Sequence, residues 1–334
     1  MKSKKIALIG GAGFIGHNLA IHLKEIGHEP IIIDSLSVNN MLSFTDKEIT
    51  NRKLYWSILN QRLDLLHEND ININIEDARN YNAMCMLLDR HKPDIIIHLA
   101  AVSHANKSNK DPHTTFDHTL RTLENTMDIA KSLDCRVIYF SSSMAYGHFE
   151  KEIVTEESPC NPLGIYGTLK YSGELIVKAY HRVFDIPYTI VRPSALYGDR
   201  CVSRRVGQIF IENAVQGLDI NIQGDGSDKL DFTYIDDLTH GIELIVENDN
   251  AINQTFNLTY GEAKKIGEMA EILEEHFNDI KINYGPKDKL TPNRGTLSVD
   301  KAKNLLGYNP KNYLEIGYPK YIQWYKKFWK SLSI

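Results

Sequence analysis

A glycine-rich stretch near the N-terminus, GGAGFIG at residues 10–16, limits the choice of fold more than any other part of the sequence. It follows the apolar run KIALI and precedes an amphipathic segment, so it connects a predicted strand to a predicted helix. Gly10, Gly13 and Gly16 recur at three-residue spacing, and Gly11 completes the form G-x-G-x-x-G. Small residues there let the backbone approach a pyrophosphate at the positive end of the helix. The stretch therefore predicts a dinucleotide-binding turn.

Acidic residues follow the next two predicted strands. The run PIIID ends in Asp34, 24 residues after Gly10, where a carboxylate can hold the ribose hydroxyls of NAD and would repel the 2′-phosphate of NADP. Asp77, in NIEDARN, is a candidate acceptor for the adenine amino group. The alternatives are a tight turn without a ligand for the glycines and a solvated turn carboxylate for Asp77.

Apolar runs alternate with amphipathic segments up to about residue 195. The runs are KIALIG, PIIIDS, NINIED, DIIIHLA, RVIYFSS and YTIVRPS, with helices predicted at 15–26, 81–91, 115–133 and 166–184. Strands that are apolar on both faces and separated by helices predict the α/β class, as a Rossmann doubly wound parallel sheet. After the fourth run, Leu99, Ala100 and Ala101 are small enough to let a dinucleotide lie against the backbone.

The remainder of the chain has a more mixed pattern. A helix is predicted near 204–216, followed by a strand at INIQG and then by a strand and helix in LDFTYIDDLTHGIELIV. These features predict a NAD-binding domain at 1–194 and a smaller mixed α/β substrate-binding lobe at 195–334. We expect the segment 228–258 to return to the first domain.

Composition narrows the range of partners and locations. The 334 residues carry a formal charge of −5 without a long basic block, which argues against nucleic acid as a partner. No apolar run approaches the roughly 20 residues that cross a bilayer, so we expect no membrane association and a cytoplasmic location. The four cysteines lack the spacing of a zinc site, and no metal is predicted.

A tyrosine, a lysine and a serine form the candidate catalytic set. Tyr166 and Lys170 are four residues apart, so they share one face of a predicted helix, about twenty residues after a strand that ends in serines. Taken alone, the spacing is that of a common surface pair. Beside a dinucleotide, the Lys170 ammonium favours the phenolate of Tyr166, which can then take a proton from a sugar hydroxyl. Ser142, at the strand tip, can hold the same hydroxyl.

Because it contains these residues, the chain resembles an extended short-chain dehydrogenase/reductase. The family is the NAD-dependent epimerase/dehydratase family, whose members modify nucleotide sugars. The motifs GGAGFIG, IIID, HLAA, SSSMAYG, YGTLK, VRPSALYG and GDGSDKLDFTYIDDL occur in the family's order over nearly the whole length. The resemblance implies bound NAD, oxidation at a sugar carbon, usually C4, and a homodimer joined by a four-helix bundle. The helices 115–133 and 166–184 would form that bundle.

The resemblance also completes the expected cofactor site. It places Pro193 at the nicotinamide end, and we expect Ser141 to lie beside the nicotinamide. The expected cofactor-binding residues are Gly10, Gly13, Phe14, Ile15, Gly16, Asp34, Asp77, Ala78, Leu99, Ala100, Ala101, Ser141, Tyr166, Lys170 and Pro193.

The chain departs from the family at positions that contact the substrate. Dehydratases of the family carry an Asp-Glu pair where this chain has Ser143 and Met144, and a thioether cannot transfer a proton. Leu230 replaces an arginine that holds the substrate diphosphate, and Ala195 replaces an asparagine common in the family. The first change argues against 4,6-dehydration. The other two indicate that the diphosphate is held differently or that the substrate differs.

Arginines elsewhere in the sequence offer a replacement for the missing phosphate contact. Arg200, Arg204 and Arg205 lie in DRCVSRRVGQIF, and Arg294 lies in TPNRGTLSVD. Because a guanidinium suits bidentate phosphate binding, we expect the substrate to be held by Arg204 or Arg205 together with Arg294, and by Ser142 and Ser143. Solvated surface arginines are the alternative. The stretches SRRVGQIF and RGTLS resemble those of bacterial surface-polysaccharide enzymes, which implies a GDP-heptose as a possible substrate.

The leading hypothesis is a nucleotide-sugar oxidoreductase that oxidises C4 by hydride transfer to NAD. If the hydride returns to the opposite face of the keto sugar, the enzyme is a 4-epimerase; if the keto sugar leaves, it is a net C4 dehydrogenase. The alternatives are a nucleotide-sugar 4,6-dehydratase or decarboxylase and a non-catalytic NAD-binding protein.

Overall fold

The apolar runs form the strands of an α/β fold. The computed structural model describes residues 2–45, 49–102, 105–287 and 292–332. The strands are β1 Lys5–Ile9, β2 Glu29–Asp34, β3 Ile73–Ile75, β4 Ile95–His98, β5 Arg136–Phe140, β6 Ile153–Val154, β7 Tyr188–Pro193, β8 Leu196–Tyr197, β9 Ile220–Gln223, β10 Lys229–Leu230, β11 Thr233–Tyr234, β12 Gln254–Leu258, β13 Lys264–Lys265, β14 Ile282–Gly285 and β15 Thr296–Leu297.

Helices occupy most of the amphipathic segments between the strands. They are α1 Phe14–Glu25, α2 Arg52–Glu68, α3 Tyr81–His91, α4 Ala105–Lys110, α5 Pro112–Phe116, α6 Thr122–Leu133, α7 Ile165–Phe184, α8 Val206–Val215, α9 Ile235–Glu247, α10 Ile266–His276, α11 Asp300–Leu306 and α12 Leu314–Ser331. None of the helices in the described ranges combines the length and the apolar character needed to cross a bilayer.

Seven of the strands form one parallel sheet in the order β12-β7-β5-β4-β1-β2-β3. The order reverses direction between β1 and β4, and in such sheets ligands bind outside the carboxyl ends of the strands at this point. The predicted Rossmann doubly wound sheet is confirmed. The last strand, β12, lies within the segment 228–258 and pairs with β7.

Both faces of the sheet are buried because side chains alternate along each strand. In β1, Ile6 and Leu8 belong to one apolar core, whereas Ala7 and Ile9 belong to a second core on the other face. The first core continues into α8, α9, α10 and α12, and the second is covered by α3, α6 and α7. This arrangement exposes only the strand ends to a ligand.

Two helical segments differ from the sequence predictions. The helix expected at 115–133 starts earlier, because the Asp111 carboxylate accepts the Thr114 backbone N–H at 3.1 Å and Pro112 occupies the first position of α5. It then passes through a π-helical turn at 117–121 before α6. The predictions also omit α2, whose buried stripe contains an arginine, Arg62, among its apolar residues.

Candidate active site

The glycine turn brings the backbones of β1 and β4 close together. Gly10 has φ +81°, and a Cβ on it would lie 2.8 Å from the Ala100 nitrogen, so this position requires glycine. A Cβ on Gly16 would lie 2.4 Å from the Gly11 oxygen, which shows how closely α1 packs on the turn. Gly13 lines the cavity that the turn borders, and a Cβ on it would lie 3.3 Å from the Gly10 oxygen. The turn therefore fits a ligand whose phosphates approach the backbone.

A cavity opens beside this turn at the carboxyl ends of β1, β2 and β4. Eleven of the expected cofactor-binding residues line it, namely Gly10, Gly13, Phe14, Ile15, Gly16, Asp34, Asp77, Ala78, Leu99, Ala100 and Ala101. The lining also includes residues that were not predicted, among them Arg62, His118 and Thr122. His118 belongs to the π-helical turn, and Thr122 begins α6. The cavity thus brings the glycine turn, Asp34 and Asp77 together with residues of α2 and α6.

Asp34 is held in place by the backbone. Its two carboxylate oxygens accept the N–H groups of Ala12 at 2.9 Å and of Leu36 at 2.7 Å. Burial raises the pKa of Asp34, and these two hydrogen bonds oppose that rise. Since each carboxylate oxygen has two lone pairs, both oxygens can still accept a ribose hydroxyl.

Asp77, which also lines the cavity, already has a cationic partner. The Arg79 guanidinium donates to its carboxylate at 2.6 Å, and this hydrogen bond lowers the pKa of Asp77. Arg79 also lies 3.3 Å from Asp117. Asp77 is therefore ionised at neutral pH, and an adenine amino group would have to share it with Arg79.

The predicted catalytic tyrosine lies on a helix that packs directly against the tip of β5. Tyr166 lies in the first turn of α7 and is 8% exposed. A Cβ on the next residue, Gly167, would lie 2.5 Å from the Met144 carbonyl oxygen, so only glycine allows this approach. The first turn of α7 therefore packs against the tip that carries Ser142.

Lys170 follows one turn later and is buried. Its Nζ donates to the Phe140 carbonyl oxygen at 2.7 Å and lies 5.3 Å from the centre of the Tyr139 ring. Burial lowers the pKa of Lys170 to about 7. The side chain is thus poised between its charged and neutral forms near neutral pH.

The serines of the strand tip have different partners. Ser142 Oγ accepts the Met144 N–H at 3.1 Å and begins a 3₁₀ turn at 143–145. Ser141 Oγ instead donates to Glu174 at 2.5 Å. Together with Tyr166, Lys170 and Pro193, Ser141 does not line the cavity within the described ranges.

Glu174, which was not predicted, belongs to a buried ion pair beneath the tip. Arg192 donates to both of its carboxylate oxygens, at 2.8 and 2.6 Å, and also to the Tyr146 hydroxyl at 2.9 Å. Glu174 continues the four-residue spacing of Tyr166 and Lys170 along α7, which was the available signal in the sequence. The pair anchors the helix and the strands that carry the site.

Arg294 lies next to the strand tip. Its Nη1 is 3.5 Å from Ser143 Oγ, and its Nη2 contacts the sulfur of Met144. Burial, followed by the charge of Arg205, lowers the pKa of Arg294 to about 10, and the nearby Tyr166 opposes that shift. A guanidinium that remains charged at neutral pH therefore lies beside the proposed sugar-binding residues.

The other predicted arginines are more dispersed. Arg205 lines the cavity, whereas the side chain of Arg204 is exposed and its backbone N–H donates to Gln208 at 2.8 Å. Arg200 donates to His17 and to Asn18, so it is committed to α1.

The two replaced family positions also have defined surroundings. Leu230 packs against the larger apolar core, and Ala195 has φ +36° immediately before β8. Neither position supplies a charge for a diphosphate.

Three known proteins show what this chain is similar to. A putative UDP-glucose 4-epimerase of Methanocaldococcus jannaschii is 28% identical over 96% of this chain and 98% of its own length. UDP-glucuronic acid decarboxylase 1 of Arabidopsis thaliana is 27% identical over 96% of this chain and 69% of its own length. The crystal structure of UDP-glucuronic acid 4-epimerase from Bacillus cereus, with UDP-glucuronic acid and NAD, has a TM-score of 0.85 and 26% identity, covering 97% of this chain and 99% of that chain.

The model of one protein family extends over most of the fold described above. It matches residues 6–259, from the first strand of the sheet to the end of the seventh. The family resemblance stated from the sequence motifs is confirmed. The chain belongs to the NAD dependent epimerase/dehydratase family and is an enzyme whose cofactor is NAD.

Proposed function

We propose that this enzyme is a nucleotide-sugar 4-epimerase. The observation that supports the proposal is the close packing of α7, which carries Tyr166 and Lys170, against the strand tip that carries Ser142. The names of two similar proteins support it, since one is a putative UDP-glucose 4-epimerase and the other a UDP-glucuronic acid 4-epimerase.

Each catalytic residue has a separate task in this reaction. NAD, when bound, supplies the hydride acceptor for the hydrogen on C4. Tyr166 takes the proton of the C4 hydroxyl as that hydrogen leaves, and the Lys170 ammonium favours the phenolate form that this requires. Ser142 donates to the same oxygen and orients it. When the hydride returns to the other face of the sugar, Tyr166 gives the proton back.

The substitutions at the strand tip favour epimerisation over dehydration. Elimination of water across C5 and C6 needs an acid and a base, whereas this chain has Ser143 and Met144 at the positions expected for them. A net C4 dehydrogenase and a decarboxylase share the first oxidation step, so product analysis distinguishes them from an epimerase.

Arg294 is the residue that we expect to select the substrate. Its guanidinium lies beside Ser143, Met144 and Tyr166, and no carboxylate forms an ion pair with it within the described ranges. We infer that it receives an anionic group of the substrate close to the reacting ring, either a sugar carboxylate or the proximal phosphate. Arg205, which lines the neighbouring cavity, is the second candidate for the diphosphate.

The function is tested with a panel of nucleotide sugars. Purified protein is incubated with UDP-, dTDP- and GDP-sugars, including a UDP-uronic acid and a GDP-heptose, and NADH absorbance is followed while NMR identifies the product. An epimerase gives a C4 epimer without net NADH. A 4-keto sugar with stoichiometric NADH identifies a net dehydrogenase, and loss of C6 identifies a decarboxylase. No product from any sugar would contradict the proposal.

We further propose a homodimer formed through α6 and α7, each contributing to a four-helix bundle. The outer face of α7 exposes apolar side chains, with Leu175 50% exposed and Val183 69% exposed. Light scattering after size exclusion should give twice the chain mass of 38.1 kDa. Leu175→Glu should shift the protein toward a monomer, and an unaltered mass for this variant would argue against this interface.

A further inference from the structure

Arg62 is a buried arginine that borders the dinucleotide cavity. It belongs to α2 and is 1% exposed. Its Nε donates to the Arg200 carbonyl oxygen at 3.0 Å, and its Nη2 donates to the same oxygen. The third nitrogen, Nη1, is buried without a hydrogen-bond partner among the described residues. A buried donor on a charged group is costly to leave unpaired, which indicates an acceptor supplied by a ligand.

The charge of Arg62 is also poorly compensated. Burial lowers its pKa to about 10, so it remains charged at neutral pH, and Arg200 adds a second positive charge nearby. Cys201 and the Asp34 carboxylate oppose this lowering of the pKa, but both oxygens of Asp34 already accept backbone N–H groups. Arg62 forms no ion pair with a protein group in the described ranges. The guanidinium of Arg62 therefore borders the cavity without a direct counter-ion among the described residues.

A chain of hydrogen bonds links Arg62 to the glycine turn. Arg62 is bonded to the carbonyl of Arg200, whose Nε donates to His17 Nε2 at 2.9 Å. Because a guanidinium can only donate, His17 Nε2 is the acceptor, and Nδ1–H donates to the Gly13 oxygen at 2.8 Å. Burial and the two arginines hold the pKa of His17 well below its usual value, so this neutral form persists. The guanidinium is thus held in position relative to Gly13.

We propose that Arg62 donates a charge-assisted hydrogen bond to a phosphoryl oxygen of the bound dinucleotide, at its pyrophosphate. Two phosphoryl groups could supply this chemistry, the pyrophosphate of NAD and the 2′-phosphate of NADP. The link to Gly13 favours the pyrophosphate, which a glycine turn of this kind receives. The carboxylate of Asp34 would repel a 2′-phosphate. The sugar plays no part in this inference, so the proposed epimerase activity can fail while it stands.

The test measures binding rather than turnover. Arg62→Met and Arg62→Lys are stripped of nucleotide and titrated with NAD, NADP, ADP-ribose and adenosine, with Arg52→Met on the same helix as a matched control. Adenosine lacks phosphate, so its affinity reports whether the adenosine end of the pocket is intact. We expect Arg62→Met to weaken ADP-ribose and NAD about 10- to 100-fold and to leave adenosine within about twofold. We expect Arg62→Lys to give a smaller loss and Arg52→Met none.

Other outcomes would overturn the proposal. An unchanged affinity for ADP-ribose would show that Arg62 makes no phosphate contact. An equal loss for adenosine would show that Arg62 is structural, and a loss confined to NADP would place the contact at the 2′-phosphate. If Arg62→Met does not fold, the test uses Arg62→Lys and compares its affinity for ADP-ribose with its affinity for adenosine. A ratio of these two affinities equal to that of the parent protein would contradict the proposal.

Discussion

Lys170 Nζ donates to the Phe140 carbonyl oxygen at 2.7 Å, so this lysine of α7 is bonded to the last residue of β5, two residues before Ser142. A displacement of helix α7 along strand β5 would break this buried hydrogen bond. The same burial lowers the pKa of Lys170 to about 7. The arrangement positions Tyr166 and Ser142 while holding the lysine near the midpoint of its titration.

The first prediction concerns stability and pH. In the unfolded chain Lys170 titrates near 10.5 and in the folded chain near 7, so between these values the unfolded state binds more protons and stability rises with pH. Below pH 7 Lys170 is charged in both states, so the folded state carries the full free-energy cost of burying its ammonium. Lys170→Met removes this cost, and its stability relative to the parent should be greater at about pH 6 than at about pH 9 by roughly 2 to 3 kcal/mol. Urea unfolding at both pH values measures the difference, and a pH-independent difference would contradict it.

The second prediction concerns the proton transfer. Tyr166→Phe removes the phenolic oxygen while keeping the ring, so kcat with the responding sugar should fall about 10²- to 10⁴-fold. NAD binding should change little, because eleven other expected residues line the cavity. Steady-state kinetics and NAD titration measure the two effects. Parent-like turnover in this variant would rule out Tyr166 as the base.

The third prediction concerns the contact between α7 and the strand tip. In Gly167→Ala the new Cβ would meet the Met144 oxygen at 2.5 Å, so the helix must move away from Ser142. We expect about tenfold or greater loss in kcat and a loss of about 1 to 3 kcal/mol in the free energy of unfolding. Gly164→Ala is the matched control, since its Cβ would lie 3.5 Å from the nearest atom, an Asn109 oxygen. Equal effects of the two substitutions would show that the close approach is unimportant.

The fourth prediction concerns substrate selection by Arg294. Arg294→Met should reduce kcat/KM for the preferred sugar about 10- to 100-fold, because a charge-assisted hydrogen bond to an anionic group is lost. If that group is a sugar carboxylate, the loss should be large for UDP-glucuronic acid and small for UDP-glucose. If the group is a phosphate, both substrates should lose equally. The measurement is kcat/KM of the variant relative to the parent for each of the two substrates. An unchanged kcat/KM with both substrates would show that Arg294 does not contact the substrate.

The fifth prediction concerns the ion pair beneath the tip. Glu174→Gln leaves the buried Arg192 without its carboxylate partner, which should cost about 3 to 5 kcal/mol in the free energy of unfolding. Replacing both residues, as Glu174→Gln with Arg192→Met, should cost less than the sum of the single changes, since no lone charge remains. Denaturant unfolding of the three variants completes the cycle. Additive losses would show that the two side chains act independently.

Local sequence patterns were enough to predict many of the residues that line the cavity. The glycine turn, Asp34 and the alanines after β4 each follow a strand, and the carboxyl ends of parallel strands meet at one edge. Once the sequence is recognised as a parallel sheet, these residues are therefore expected to line the same cavity. Arg62 shows the limit of this reasoning. Its helix α2 has an apolar stripe that was readable in the sequence, but nothing local indicates that the arginine within this stripe borders the cavity.

The sequence by itself determined the class of fold, the cofactor and the spacing of Tyr166 and Lys170, because each depends on the period of a strand or helix and on residues close in the chain. Only the tertiary structure decided where Arg294 lies, since residues some 150 positions apart contact each other there. The same holds for Ser141, whose hydroxyl meets Glu174 from another element. Such contacts depend on how helices pack on the sheet, which spacing along the chain does not encode.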